Sequence, residues 1–175
     1  MKNVSVIPEL CVHDARGAIA FYKKAFGAKE LSTHATPDGK KIMHGALEIG
    51  GGVIFVCDDF PEASGGKPRS AKALGGSPVT VHLNCVDVRK TWKATLASGA
   101  KVVLPLEKQF WGDTYGIVAD PFGQRWSMSG AHEGEKADET SAGYASGAEE
   151  MYPTKKKARR PARASKPKAK AKGRK

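Results

Sequence analysis

The sequence predicts an α+β fold: two tandem βαβββ modules, a connection between them, and a basic C-terminal tail. Three observations predict it. "FGAKE" at 26–30 is echoed by "SGAKV" at 98–102. Each copy is preceded by a strand-like run ending in aspartate and then by an apolar stripe of helical period. The charge is also divided: residues 155–175 hold twelve of the 29 Lys and Arg and no acid, which leaves 17 cations against 18 acids in residues 1–154.

The first module opens with "VIPELCVHD" (6–14), a strand whose final Asp14 can accept from the free N–H groups of a helix's first turn. The helix is "ARGAIAFYKKAF", with Ile19, Tyr22 and Phe26 on one stripe. Gly27 ends it, because glycine readily takes the left-handed conformation past a helix end. The echo then leads into a new strand, and "KKIMHGALEIGGGVIFVCD" supplies two strand-like runs split by glycines. Residues 60–78, rich in Gly, Ser and Pro, read as an exposed, mobile connection, with an active-site lid as the other reading. The second module repeats the order: "VTVHLNCVD" (79–87) ending at Asp87, then "VRKTWKATLAS" with Val88, Trp92 and Leu96 in line, then Gly99. "TYGIVADPFGQRWSMS" gives its last two strands, split by an Asp-Pro-Phe-Gly turn. The expected boundaries are modules 1–59 and 79–131 within a domain of 1–131, a polar linker at 132–153 and the tail at 154–175.

Residues 1–131 are enough to bury about two-thirds of the surface of the unfolded chain. Cys11, Cys57 and Cys85 are odd in number and form no CxxC, which suits a reducing compartment rather than a disulfide framework. No apolar run approaches the ~18 residues of a membrane span. "MKNVSVIPEL" is too short and interrupted for a signal peptide, so a soluble cytoplasmic protein is expected. There is no Walker A, G-x-G-x-x-G or G-x-S-x-G pattern, and "SGGKPRS" lacks the context of a phosphate loop.

Strand alternation sorts the side chains. Leu10, Val12, Val81, Leu83, Cys85, Ile54, Val56, Trp126 and Met128 fall on the helix side. The opposite face is mixed. Ile7, Val53, Phe55 and Val86 stand there beside Glu9, Thr80, His82, Asn84, Arg125 and Ser127. A sheet simply exposed to solvent would account for this, but apolar walls carrying a few polar groups also describe a ligand pocket. His82 would serve as a hydrogen-bonding pocket residue or a general base, and Glu9 as a base if desolvated. Trp111 and Tyr115 in "FWGDTYG" either pack a loop onto the sheet or form an aromatic wall for a planar ligand. The candidate ligand-binding set is therefore Glu9, Phe55, Thr80, His82, Asn84, Trp111, Tyr115, Arg125 and Ser127.

The paired modules, with "AIAFYKKAFGAKE", "MHGALEIGGGVIFV" and "QFWGDTYGIVADPFGQRW", resemble the vicinal oxygen chelate superfamily of glyoxalases, bleomycin-resistance proteins and dioxygenases, in its PhnB-like branch. The resemblance implies two modules curling their sheets into a cleft, often completed by a second copy, so a homodimer is expected. It implies isomerases, dioxygenases, transferases or sequestering proteins, and so fixes no reaction. Metal enzymes of the superfamily carry a His or Glu at positions that fall here on Ile7, Phe55, Thr80 and Ser127. None of these is a strong divalent-metal ligand, so the reading is a small-molecule-binding protein with no metal or other cofactor. The alternative is a metal-dependent lyase, isomerase or transferase with relocated ligands: His44, Glu48, His82 and Glu9.

Residues 132–153 are small, polar and acidic and cannot bury enough apolar surface to fold alone. The Lys/Arg/Ala/Pro tail favours an extended, disordered, self-repelling chain. Lys155, Lys156, Lys157, Arg159, Arg160 and Arg163 could neutralise phosphates without reading sequence, making nucleic acid a possible partner and a nucleic-acid-associated accessory role a third reading. A solvated solubility tail is the plain alternative.

Overall fold

The computed structural model describes residues 4–130. Each half is βαβββ. The first comprises β1 (Glu9–Val12), α1 (Ala15–Phe26), β2 (Lys29–Ala35), β3 (Ile42–Ile49) and β4 (Gly52–Asp58). The second comprises β5 (Thr80–Asn84), α2 (Val88–Ala97), β6 (Lys101–Lys108), β7 (Thr114–Ala119) and β8 (Arg125–Gly130). Two mixed sheets result, ordered β1-β4-β3-β2 and β5-β8-β7-β6. The first strand of each half pairs in parallel with the last, and the other pairs are antiparallel.

The helix starts follow the sequence. Asp14 accepts from the Gly17 N–H at 2.9 Å and Asp87 from the Lys90 N–H at 2.9 Å. Each satisfies one of the donors that a helix start leaves free. α1 ends at Gly27, whose φ of 69° is the left-handed conformation glycine takes without steric cost. α2 ends one residue before the expected stop, at Ser98, and Gly99 (φ 105°) turns the chain.

Both helices cover the face predicted for them. Leu10, Val12, Ile54, Val56, Trp126 and Met128 are buried, and Val81, Leu83 and Cys85 pack against them. The two halves share one core. α1 and α2 pack on each other, and Trp126 of β8 lies 5.1 Å from the Tyr22 ring and 4.6 Å from Phe26 between centroids. The Tyr22 hydroxyl donates to Asp120 Oδ2 at 2.8 Å, and the Trp126 indole N–H donates to the same oxygen at 2.9 Å. The other oxygen, Oδ1, accepts from the Phe122 and Gln124 N–H groups. Buried Asp120 is thus a four-bond hub joining the modules.

The connection at 60–78 is more fixed than its composition suggests. Asp59 accepts from the backbone N–H groups of Arg69 and Ser70, at 2.9 and 2.8 Å. Ser70 and Ala71 are buried, and Gly123 lies so close to the Ala71–Lys72 backbone that no Cβ would fit. Composition reports what a segment could leave exposed. It cannot report that a carboxylate just before the segment folds back on it.

β6 is the outer edge of the second sheet. Val102, Val103 and Leu104 are exposed along it, Pro105 has no N–H to offer, and its pairing with β7 shifts register on both sides of Leu104. Residues 131–175, and with them the predicted polar linker and the tail cations from Lys155 to Arg163, lie outside the described residues.

Candidate functional site

The uncovered face of the second sheet forms a three-by-three grid. In-register pairing sets Thr80, Arg125 and Ala119 on one row, His82, Ser127 and Ile117 on the next, and Asn84, Ser129 and Tyr115 on the third. Strand alternation puts all nine on one face, because the residues between them are the core-facing Val81, Leu83, Trp126, Met128 and Val118.

His82 is the centre of the polar part. Its Nδ1 lies 2.8 Å from Ser127 Oγ, and its Nε2 lies 3.1 Å from Asn84 Oδ1 and 3.2 Å from Ser129 Oγ. Asn84 Oδ1 can only accept, which assigns the proton of a neutral ring to Nε2 and makes Ser127 the donor to Nδ1. The Tyr115 ring lies 6.2 Å from the imidazole and tilted only 20° from it, and Trp111 meets Tyr115 edge-on at 5.9 Å. Phe110 extends this wall against Trp111. Thr80, His82 and Asn84 are exposed, while Ser127 and Ser129 are buried beneath them. The result is a polar floor open to solvent with aromatic rings at one end and Arg125 at the other. His82 and Asn84 also border a cavity of about 420 Å³ at the free edge of β5, closed by the β3–β4 turn at Gly50 and Gly52.

Seven of the nine predicted ligand-binding residues therefore belong to this sheet or to the loop beside it. Glu9 and Phe55 belong to the first sheet, where they are partners across β1 and β4. Glu9 is exposed. Val86 is not on the grid: it lies beyond the end of β5, is 98% exposed, and borders the cavity at the β5 edge. Ser129 was missed, although the alternation of "RWSMS" puts it on the face of Ser127. The pairing of Cys11 with Cys57 across β1 and β4 was missed as well. Burial, with Cys11 next in effect, pushes the Cys57 thiol up to about 12, and burial also raises Cys11. Neither thiol is therefore an activated nucleophile near neutral pH.

The metal enzymes of the resembled superfamily hold a divalent ion, and the side chains at the positions carried over from them do not fit one. Ile7 and Phe55 have no lone pair to donate, and the Ser127 hydroxyl is engaged by His82. The relocated set is dispersed. Glu48 is ion-paired to Lys29 at 3.4 Å, His44 stacks on His34 and meets Phe55 edge-on, Glu9 lies on β1, and His82 is in the other sheet. Among the described residues no group of three or more His, Cys, Asp or Glu could hold an ion.

The comparisons agree with this architecture. A Mycobacterium tuberculosis (strain H37Rv) protein, Rv0887c, is 47% identical over 139 residues, covering 79% of this chain and 81% of its own. The crystal structure of TioX from Micromonospora sp. ML1 is 26% identical and superimposes with a TM-score of 0.56, covering 73% of this chain and 98% of TioX. The PhnB protein of Bacillus cereus, at 12% identity and a TM-score of 0.53 over 73% of this chain and all of its own, shares the fold. Residues 5–128 match the family model itself, and on the doubled βαβββ unit, its register and these likenesses the chain belongs to the Glyoxalase/Bleomycin resistance protein/Dioxygenase superfamily.

Proposed function

We propose that the protein binds a small molecule on the open face of the second sheet, without the metal its metalloenzyme relatives use. The observation that carries this reading is the His82 cluster. Its polar groups are bonded among themselves and so held in fixed directions, yet His82 and Asn84 remain open to solvent beside the Tyr115–Trp111 wall. Fixed polar groups give orientation and an aromatic wall gives contact area, which together describe a recognition site. The open face is also where a second copy would complete the site, and the protein is a homodimer in this reading.

Elemental analysis of the purified full-length protein tests the metal-free part: Ni, Zn, Fe and Mn are each expected well below stoichiometry. One equivalent of any of them, lost together with His44→Ala or His82→Ala, would sink it.

The tail adds a second capacity in this proposal. Its twelve cations bind polyanions such as nucleic acid through phosphate neutralisation and counterion release. Full-length protein is expected to bind DNA with a steep fall in affinity as salt rises, and a chain ending at residue 153 to lose that dependence. Equal binding by both chains would remove the tail from the account.

A further inference from the structure

A second cavity, of about 710 Å³, lies under the connection between the modules, bordered by Lys72, Gly75, Gly76, Ser77, Ala119 and Arg125 among others. Two of its lining residues are cations and none is an acid. Arg125 begins β8, one row along the grid from Ser127 and His82. Its Nε is buried with no hydrogen-bond partner, and among the described residues no ion pair involves Arg125 or Lys72. The polar neighbour of Lys72 is the His13 ring, 3.4 Å from Nζ, which cannot neutralise an ammonium.

A buried guanidinium nitrogen without an acceptor is costly, and native proteins rarely leave one. The protein supplies no acceptor here, so the acceptor comes from outside it. A lone water could bond one N–H. It would not neutralise the two cations that Arg125, with its buried Nε, and exposed Lys72 bring to this cavity beside Leu74, Val103, Ala119 and a glycine-rich backbone. An oxyanion matches the fork of donors and neutralises the charge at once.

We infer that this cavity seats the oxyanion head group of the ligand, a carboxylate or a phosphate monoester, held by Arg125 with Lys72. The inference rests on the proposed open-face site and adds the chemical class of what binds there. Two residues along a strand advance about 6.6 Å, so the head group at Arg125 lies two rows, about 13 Å, from Tyr115. The class of ligand is thus an anion with a planar or apolar body that reaches over His82 towards the aromatic end.

The test uses the full-length protein, whose basic tail is common to all variants and cancels in comparisons between them. Benzoate, phenyl phosphate and neutral benzyl alcohol are titrated at constant ionic strength, with the His82 imidazole proton resonances as readout. Both anions, or one, are expected to bind more tightly than the alcohol, and the stronger identifies carboxylate or phosphate as the source. Arg125→Gln is expected to weaken anion binding roughly tenfold or more, the worth of a lost charge-assisted pair, and to weaken the uncharged alcohol far less. Arg125→Lys should retain part of it. Arg125→Met is expected to raise the midpoint of thermal unfolding while abolishing anion binding, which a merely structural arginine would not do. Anions that bind no better than the alcohol, or equally well to wild type and Arg125→Gln, overturn the inference. If the alcohol alone shifts His82, the open-face site stands and the anion site falls; if no probe moves His82, both fall.

Discussion

Asp120→Ala is expected to destabilise the protein by about 3–5 kcal/mol, measured by urea unfolding at neutral pH. The reason is the number of donors left behind. Tyr22 OH, Trp126 N–H and two backbone N–H groups all converge on this carboxylate in a buried place. Alanine gives none of them an acceptor and admits little room for water. Asp120→Asn should recover part of the loss, because its Oδ1 can still accept. The two proteins should also differ in pH dependence. Burial raises the Asp120 pKa above its ordinary value, against the pull of its hydrogen bonds from Trp126 and Tyr22. A raised carboxyl pKa means that the folded state holds the proton more tightly. Its contribution is fully present below the unfolded value of 3.8 and is lost as pH rises through the folded value. Wild type should therefore lose stability relative to Asp120→Asn as pH climbs through that window. A flat difference between the two would show that the carboxyl is not perturbed in the fold.

Trp126→Ala is expected to cost about 3–5 kcal/mol by a different route, the emptying of packed space. The indole is fully buried, packs at a tilt against Phe26 and Tyr22, and comes from the opposite module to both. Its removal opens the seam between the halves, so amide exchange should rise in α1 and in β8 together. Trp126→Phe keeps most of the volume and loses only the N–H to Asp120, and should cost less than half as much. Because Trp126 and Asp120 touch, their effects should not add, and a double-mutant cycle should return a coupling of about 1–3 kcal/mol.

Much of this was legible in the residues. Asp14, Asp87 and Gly27 announced helix ends because capping is local chemistry, decided within a turn of the chain. The core and open faces were legible because a strand's period is two, and one apolar run such as Trp126–Met128 fixes the phase of all its neighbours. The same alternation placed Thr80, His82, Arg125 and Ser127 together. What stayed hidden depends on long closure. The Asp-Pro-Phe-Gly segment read as a turn and is one, but nothing near Asp120 signals that Tyr22, 98 residues earlier, will bond to it. Asp59 likewise sat at the edge of a glycine-rich stretch with no local mark of its grip on Arg69 and Ser70. The orphaned Nε of Arg125 is a missing contact, and a sequence pattern carries no record of what a side chain fails to meet.

The outer rim of the second sheet has a consequence for how the molecule behaves in a crowd. A long, flat strand of valine and leucine with its hydrogen-bonding side unoccupied is a template on which another molecule can lay a strand, and then another. Along Lys101–Lys108 Pro105 has no N–H to lend to any ladder, the shifts of register on both sides of Leu104 break the regular spacing, and a lysine closes each end. Fibre growth would have to begin at a spot where the chain has made its own repetition geometrically awkward, which lets the protein keep three exposed aliphatic side chains at its margin without seeding a polymer.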